Sequence, residues 1–455
     1  NVTSLLHRIR THNSGVLVQP TLSFDERGHR PNTLTYAVVG AEGDGTPPTG
    51  FFPVLEDFIG EGGNLEWPAA VVQPDTAVMQ AGAAVEGYEA FGGLRFREIT
   101  LAPGESHAYL LILAVLSSHE AVEDLLQRYR SASHFARWLE VTRAYWREAT
   151  ATPTFRTGNP RFDGWMKWVA VQPTLRRLFG NSFLPYHDYG RGGRGWRDLW
   201  QDCLALLLMK PDSVHDLLYT SYAGVRIDGS NATLIGSQPG EFVADRNNIP
   251  RVWMDHGAWP YLTTRLYLDQ SGDLGFLLQE QTYFKDSHIH RCQARDDAWA
   301  PDQGTQLRTE TGGVYQGTIL EHLLVQHLTA FFNVGHFGNN ILLEGADWND
   351  GLDMARESGE SVAFTALYAS NLRDLSKLLS SLARFGILEV ELASELVKLL
   401  DTLGKPVNYG DSSAKQQRLA EYFASIQHVI SGTKVPIRLA DLAGDLAAKA
   451  AWLYS

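Results

Sequence analysis

The 455-residue chain has only two cysteines, Cys203 and Cys292, which are too few for a disulfide framework. It also lacks any apolar run of about 18 residues, so the sequence predicts no membrane-spanning helix. No N-terminal signal-peptide pattern is found, and the predicted compartment is therefore the reducing cytoplasm. With 39 basic against 52 acidic residues, the formal charge of −13 argues against nucleic acid or an anionic membrane as a partner.

The composition is that of a protein with sizeable cores. The length exceeds that of one average domain, and 44% of the residues are hydrophobic. Aromatic residues make up 11% and include twelve tryptophans. This content is consistent with carbohydrate binding, although core packing accounts for most tryptophans in proteins.

The hydrophobic pattern changes near residue 118. Before that point, short alternating runs separated by proline and glycine predict antiparallel strands at 34–39, 94–101 and 109–116. After it, Ser117 and Glu120 resemble a capping box that precedes apolar residues at helical spacing. Helical patterns dominate from about residue 153 onward.

The most informative segment is 347–353, which reads Asp-Trp-Asn-Asp-Gly-Leu-Asp. A carboxylic acid beside an indole ring can grip a sugar while it protonates a glycosidic oxygen, because the ring covers the apolar sugar face and raises the acid's pKa. The alternative is an Asp/Asn/Gly turn with a buried tryptophan. A calcium loop is excluded, because Gly351 is fifth rather than sixth and Ser358 replaces the required glutamate.

A second polar cluster, at 190–202, reads Gly-Arg-Gly-Gly-Arg-Gly-Trp-Arg-Asp-Leu-Trp-Gln-Asp. Arginine suits phosphate and carboxylate groups. Because the apolar run 203–209 predicts a buried helix, the cluster is expected at a helix N-terminus, where backbone N–H groups favour anions. A structural loop of ion pairs is the alternative.

Two other interpretations of this cluster are disfavoured. Gly190, Gly192 and Gly195 spell the dinucleotide-binding G-x-G-x-x-G, but residues 183–188 do not form a convincing buried strand before it. A single Arg-Gly box in an acidic chain offers RNA little phosphate attraction.

Several further residues are candidates for binding a metal ion or the acceptor sugar. His322 and His327 are five residues apart, which is wrong for one helical face, and no thiolate cluster accompanies them, so no metal site is predicted. Glu310 and Glu321 are candidates for an acceptor groove, although a solvated surface is the commoner place for glutamate.

Together the two clusters resemble glycoside hydrolase family 94. This family contains the cellobiose, chitobiose and 1,2-β-oligoglucan phosphorylases and the phosphorylase-like part of cyclic β-1,2-glucan synthases. Four further segments are more similar to the 1,2-β-glucan branch than to the cellobiose branch, namely 228–233, 239–242, 253–260 and 320–327.

The resemblance implies a role for each matching residue. Asp350 corresponds to the family's general acid, Trp348 lines the donor-sugar subsite and Asp198 holds donor hydroxyl groups. An arginine six or seven residues before this aspartate reaches phosphate, which points to Arg191. An inserted Gly-Arg pair makes Arg194 an alternative.

Two more residues complete the expected substrate-binding set. Arg197 directly precedes the sugar-binding aspartate in the Arg-Asp pair. Asp255 lies four residues before Trp259, and the family has an acidic residue at this spacing near the sugar site. A structural brace within a loop is the alternative role for Asp255.

The resemblance also implies the fold. We expect an α+β multidomain chain with the C-terminal part of an antiparallel β-sandwich at 1–118, a helical linker at 119–152 and an (α/α)6-barrel catalytic domain at 153–455. A complete twelve-helix barrel needs on the order of 350–400 residues. The barrel is therefore expected to be incomplete, and to need the rest of its own chain or a complementary subunit.

The predicted function is that of an inverting phosphorylase, a hexosyltransferase that uses inorganic phosphate as co-substrate and no cofactor. It would act on β-linked, most simply β-1,2-linked, gluco-oligosaccharides and release α-glucose 1-phosphate. Phosphate is already an anionic nucleophile, so no second carboxylate is needed as base. The alternatives are a cellobiose-type phosphorylase, the phosphorylase region of a cyclic β-1,2-glucan synthase, and a non-catalytic carbohydrate-binding subunit.

Overall fold

The computed structural model describes residues 7–21, 33–129, 131–179, 194–236, 240–245, 249–250, 252–345, 355 and 358–455, with the side chains of 173–174, 176–179 and 194 excepted. These residues divide into two compact units, one formed by residues up to 167 and one by residues from 168 onward. The division into sandwich, linker and barrel stays a prediction.

The first unit begins with strands. They are β1 His7–His12, β2 Gly15–Pro20, β3 Thr35–Glu42, β4 Gly50–Val54, β5 Ala84–Glu86, β6 Ala90–Arg95 and β7 Tyr109–Leu116. Five of them form an antiparallel sheet in the order β5-β1-β2-β3-β7, and β4 pairs with β6 in a second sheet. The antiparallel strands expected at 34–39 and 109–116 are confirmed.

Apolar side chains cover both faces of the five-stranded sheet. On one face, Ile9 and Val16 pack with Phe51 and Val54 of the second sheet. The two sheets approach closely at Gly92, where a Cβ atom would lie 2.6 Å from Val38 Cγ2. A larger residue there would force the sheets apart.

Helix α3 covers the opposite face of the same sheet. Its buried residues Val122 and Leu126 pack with Leu17, Ala37 and Val39. The helices of this unit are α1 Leu55–Ile59, α2 Ala69–Val72, α3 Ala121–Tyr129 and α4 Ala132–Ala149, and α5 Pro160–Phe179 begins in it. The helical segment expected after residue 118 is therefore confirmed.

The second unit is mainly helical, with short strands. Its helices are α6 Trp196–Met209, α7 Val214–Tyr222, α8 Ala258–Ser271, α9 Ile319–Phe332, α10 Val362–Arg384, α11 Ser412–Ser425 and α12 Leu439–Tyr454. Its strands are β8 Arg194–Gly195, β9 Leu234–Ile235, β10 Phe242–Val243, β11 Glu280–Thr282, β12 His288–Ile289, β13 Ala294–Arg295, β14 Gln316–Thr318, β15 Glu389–Ala393 and β16 Lys434–Arg438.

Helix α9 is the centre of this unit, since every residue of Ile319–Phe332 is buried. Helices buried on all sides have no polar stripe, and α9 is apolar around most of its circumference. Helix α10 instead buries one stripe, which includes Leu372, Leu375, Leu379 and Leu382, as expected from their spacing.

The chain is thus a mixture of helix and sheet, as predicted. The barrel arrangement stays a prediction. The strand expected at 94–101 is wrong in its extent, because β6 ends at Arg95, the last residue that pairs with β4. Within the described part of the chain, no helix combines the length and apolarity needed to cross a bilayer.

Candidate functional site

The first part of the candidate site is the N-terminal end of α6. Trp196 is buried, and its Nε1 donates to the backbone oxygen of His256 at 3.0 Å, which joins this helix end to the chain before α8. Asp198 lies in the first turn of α6, where the helix dipole favours a negative charge. The predicted helix is confirmed and includes residues 196–202 of the polar cluster, whereas residues 190–193 lie outside the described part of the chain.

Arg197 and Asp255 form a two-pronged ion pair beside this helix end. Arg197 Nε lies 2.5 Å from Asp255 Oδ2, and Nη2 lies 2.9 Å from Oδ1. Trp259 Nε1 donates to the same carboxylate at 2.8 Å. The Arg197 guanidinium also lies over the Trp253 ring, 4.8 Å from its centre. Planar donors against a carboxylate and an aromatic face fix the arginine in one orientation.

The charge state of Asp255 follows from these contacts. Burial raises the pKa of its carboxyl, but the neighbouring His256 and Arg197 and the Trp259 donor outweigh that effect, and the pKa falls below its ordinary value. Asp255 is therefore an ionised acceptor at neutral pH. A group in this state can orient other groups but cannot serve as a general acid.

His256 is the neutral neighbour of this ion pair. It is 3% exposed, and its ring lies 4.8 Å from the Trp253 ring. Burial, together with the positive charges of Arg197 and Arg291, lowers the pKa of His256 to about 4, although Asp255 opposes the shift. At neutral pH the imidazole is uncharged, and neither ring nitrogen has a hydrogen-bond partner in the described structure.

A second buried ion pair lies close to Trp253. Arg291 binds Glu344 through Nε–Oε1 at 2.5 Å and Nη2–Oε2 at 2.9 Å. Asn333 Nδ2 donates to the same Glu344 carboxylate at 3.0 Å. Glu344 also forms an antiparallel bridge with Trp253, and Gly345 N–H donates to Val252 O at 3.0 Å.

These contacts place Glu344 and Gly345 beside Trp253 and Val252. Glu344 and Gly345 directly precede the segment that contains Trp348 and Asp350, and both of those residues lie outside the described part of the chain. The chain thus enters this segment beside Trp253, whose ring carries Arg197.

The remaining predicted residues are placed as follows. Arg191 lies outside the described residues, and Arg194 is described only by its backbone, which pairs with Ile235 in β8–β9. Arg197 and Asp255 are in direct contact, and Asp198 is adjacent to Arg197 in the first turn of α6. Their roles toward a substrate stay predictions.

Sequence reasoning missed Arg291 and Glu344. They are 53 residues apart, and no motif or periodicity joins them. The one signal for them was indirect: an arginine or a glutamate in apolar surroundings needs a partner of opposite charge.

Glu321 was expected in a groove or on a solvated surface, and this is wrong. It is fully buried in α9 and accepts from Tyr283 Oη at 3.0 Å, from Tyr315 Oη at 3.0 Å and from Ala393 N at 2.7 Å. Burial raises the pKa of its carboxyl, while these donors oppose the shift. The hydroxyl and amide donors let a carboxyl group occupy the core.

The histidines of α9 are structural. His327 is fully buried, with Nδ1 2.8 Å from Leu323 O and Nε2 3.2 Å from Asn371 Nδ2. This pattern fits the tautomer with a proton on Nδ1, and burial lowers the pKa of His327 to about 4. Among the residues that the structure describes, no group of three potential ligands could hold a metal ion.

Comparison with known proteins shows what this chain is similar to. Residues 11–132 match the family model described as glycosyl hydrolase 94, supersandwich domain. The chain is 24% identical over 317 residues to the cyclic beta-(1,2)-glucan synthase NdvB of Rhizobium meliloti (strain 1021), a match that covers 69% of this chain and 10% of that protein. It is also 24% identical over 370 residues to the solabiose phosphorylase of Paenibacillus borealis, covering 79% of this chain and 40% of that enzyme.

The resemblance to glycoside hydrolase family 94 is thereby confirmed, since the family model and both relatives point to it. The matched part is well under two thirds of the length of either relative.

Proposed function

We propose that this chain is part of an inverting glycoside phosphorylase that transfers a glucosyl residue from a β-linked gluco-oligosaccharide to inorganic phosphate. The observation that carries the proposal is the contact of Arg197 with Asp255 and Trp253, beside the point where the chain enters the Asp-Trp-Asn-Asp motif. The phosphorylase from Paenibacillus borealis supports the reaction class.

The proposed reaction uses one carboxylic acid. Asp350 donates its proton to the oxygen of the glycosidic bond as that bond breaks, and a phosphate oxygen forms the new bond to the anomeric carbon from the opposite face. The products are an α-sugar 1-phosphate and an oligosaccharide shortened by one unit. Proton donation requires that Asp350 be neutral at working pH, so its pKa must exceed the roughly 3.9 of a free aspartic acid.

The surrounding residues are proposed to bind and orient. Trp348 covers the apolar face of the donor sugar, and Asp198 accepts from its hydroxyl groups. Arg191 or Arg194 binds phosphate, because a guanidinium presents paired donors to its oxygens. No cofactor is required in this scheme.

Asp255 is proposed to hold Arg197 toward the sugar rather than to exchange a proton. Its carboxylate already accepts from Arg197 and Trp259, and its pKa lies below the ordinary value. An ionised, occupied carboxylate leaves the acid role to another residue.

A second candidate is the phosphorylase-like region of a cyclic β-1,2-glucan synthase. The match to such a synthase, which covers 69% of this chain, favours it. In both cases the preferred linkage would be β-1,2. The synthase region would act on long chains, whereas an oligosaccharide phosphorylase would act on short ones.

The test is phosphorolysis of matched trisaccharides. Two samples are incubated with phosphate and a β-1,2-, β-1,3- or β-1,4-linked glucotriose, namely this chain by itself and the longest natural form of the protein. The products are then separated and examined by phosphorus and proton NMR. We expect α-glucose 1-phosphate, with the highest rate from the β-1,2-linked substrate. Formation of a β-phosphate, or of free glucose without phosphate incorporation, would contradict the proposal. Binding of all three sugars without turnover in the longest form would favour a carbohydrate-binding subunit.

A further inference from the structure

Among the described residues, five other than glycine have positive φ angles, and four of them lie at two places that meet in space. His290, Arg291 and Cys292 have φ angles of 54°, 52° and 64°, and Glu344 has a φ of 53°. A side chain with a Cβ atom disfavours this region, and three such residues in a row are rare. Strained backbone of this kind persists only where the surrounding contacts determine it, and it is concentrated at functional sites.

The contacts that hold this backbone are buried and polar. Arg291 N–H donates to Asp228 Oδ2 at 2.7 Å, which fixes the centre of the left-handed turn. The Arg291 side chain then reaches Glu344 with two bonds and Thr329 Oγ1 with a third at 3.3 Å. The paired side chains are only 3% and 6% exposed. Each strained segment therefore contributes one side chain, Arg291 or Glu344, to the same ion pair.

Glu344 connects this pair to the candidate site through the backbone. It bridges to Trp253, and the following Gly345 lies so close that a Cβ atom there would be 2.4 Å from Trp253 Cδ1. Trp253 in turn carries Arg197 on its ring and contacts His256. Glu344 is also six residues ahead of Asp350 in the sequence. A shift at Glu344 is thus transmitted to Trp253 and, through the Trp253 ring, to Arg197.

We propose that the buried Arg291–Glu344 ion pair is a positioning element, which fixes the backbone at Glu344 and thereby holds Trp253 and Arg197 in the places from which they face the sugar. This inference rests on the proposed phosphorolysis. Neither residue touches the substrate in this scheme, and both act through the residues that do.

A buried ion pair elsewhere in the same unit provides a control. Lys449 Nζ lies 2.6 Å from Asp445 Oδ2 and 2.7 Å from Asp401 Oδ1, and all three side chains are fully buried. None of these residues has a positive φ angle, and Lys449 belongs to the C-terminal helix α12. Asp401 must be replaced together with Asp445 and Lys449, because loss of the ammonium group alone would leave that buried carboxylate without its charge partner. Replacement of all three residues is expected to leave the Glu344–Trp253 contact intact.

The test compares two multiple variants in the form of the protein that shows wild-type phosphorolysis. Arg291→Met/Glu344→Gln removes the charges but keeps side-chain volume and an acceptor for Asn333. Asp401→Asn/Asp445→Asn/Lys449→Met is the control, since it neutralises every member of the other buried contact. Neutral replacement of both partners of a buried pair usually preserves folding. We expect the first variant to lose about 100-fold in kcat with KM changed less than about threefold, as for a misplacement of about 1 Å. The control should keep kcat within about threefold of wild type. The single variant Arg291→Lys serves if the double variant does not fold, with kcat expected about 10-fold lower.

A second measurement separates this inference from the proposed function. Hydrogen exchange is followed for peptides covering residues 252–257 and 341–345, with the peptides of β11 and β14 as internal references. Exchange of the first two peptides should be faster in Arg291→Met/Glu344→Gln and unchanged in the control, even in a protein without phosphorolysis. An unchanged kcat in an active protein, or unchanged exchange in these two peptides, would overturn the positioning role. A wild-type protein without turnover would refute only the proposed function.

Discussion

Replacing Asp255 by asparagine perturbs the ion pair at the base of the candidate site. The Asp255 carboxylate accepts from Arg197 Nε and Nη2 at 2.5 and 2.9 Å and from Trp259 Nε1 at 2.8 Å. Asparagine keeps one accepting oxygen and turns an NH2 group toward one of these donors. At least one donor of Arg197 or Trp259 therefore loses its acceptor.

The expected loss of stability follows from the burial of the two side chains, which are 2% exposed for Asp255 and 16% for Arg197. Loss of one partner costs about 3–5 kcal/mol for a fully buried pair and about 0–1 kcal/mol for an exposed pair. Because Arg197 keeps some contact with water, we expect the free energy of unfolding to fall by about 3 kcal/mol. Although burial raises the pKa of Asp255, its neighbours lower it overall, so the contribution is present above the ordinary pKa and is lost only as pH falls through the lowered one. The difference should thus be the same at pH 6 and pH 8.

Urea denaturation followed by circular dichroism measures this difference, with Trp259→Phe as the matched control. The control removes one neutral donor from the same carboxylate and should cost about 1 kcal/mol. A loss below about 1 kcal/mol for Asp255→Asn, or a loss no larger than in the control, would refute the argument that the two-pronged contact with Arg197 dominates.

Three further predictions concern the second unit. Because the pKa of His327 is lowered to about 4, its contribution to stability is complete above pH 6.5 and is lost as pH falls through 4. His327→Gln should therefore reduce the loss of unfolding free energy between pH 7 and pH 4 by about 3 kcal/mol in denaturation curves. An unchanged pH dependence would contradict this. Gly229→Ala should lower the free energy of unfolding by more than about 3 kcal/mol, because φ is +81° and the new Cβ would lie 1.9 Å from Thr329 Oγ1. Gly272→Ala, where the backbone is also left-handed but the Cβ would meet open space, should lower it by only about 1 kcal/mol. Equal losses would refute the steric argument. Burial lowers the pKa of Lys415 to about 7, so Lys415→Met should raise the thermal midpoint at pH 6, where the buried amine is charged; a lower midpoint would contradict it.

Periodic segments of the fold were predictable from the sequence. The run 109–116 became β7, and the apolar spacing after residue 362 became α10, because alternation and helical repeats reflect a single buried face. The run 94–101 also alternates, but the first residue of its partner β4, Gly50, lies opposite Arg95. Beyond Arg95 the strand has no hydrogen-bond partners in β4 and ends there. Pairing limits of this kind depend on distant segments.

The candidate site was predictable to a smaller extent. The contact of Arg197 with Asp255 joins two segments that the sequence had singled out for their polar and aromatic composition. The Arg291–Glu344 pair had no such signal, since it depends on left-handed backbone at residues whose types do not require it. Glu321 became a core residue because Tyr283 and the backbone amide of Ala393, 38 and 72 residues away, supply donors together with the nearby Tyr315. Such long-range satisfaction of polar groups has no local pattern.

The most direct measurement of the central claim compares Asp350→Asn with Asp353→Asn, two isosteric changes in the same seven-residue segment. Formation of α-glucose 1-phosphate from a β-1,2-linked glucotriose is followed under single-turnover conditions in the form of the protein that shows wild-type activity. If Asp350 alone donates the proton, Asp350→Asn should lower the rate by about 10²–10⁴-fold while Asp353→Asn stays within about tenfold of wild type. Full activity in Asp350→Asn, or equal losses in the two variants, would contradict the account.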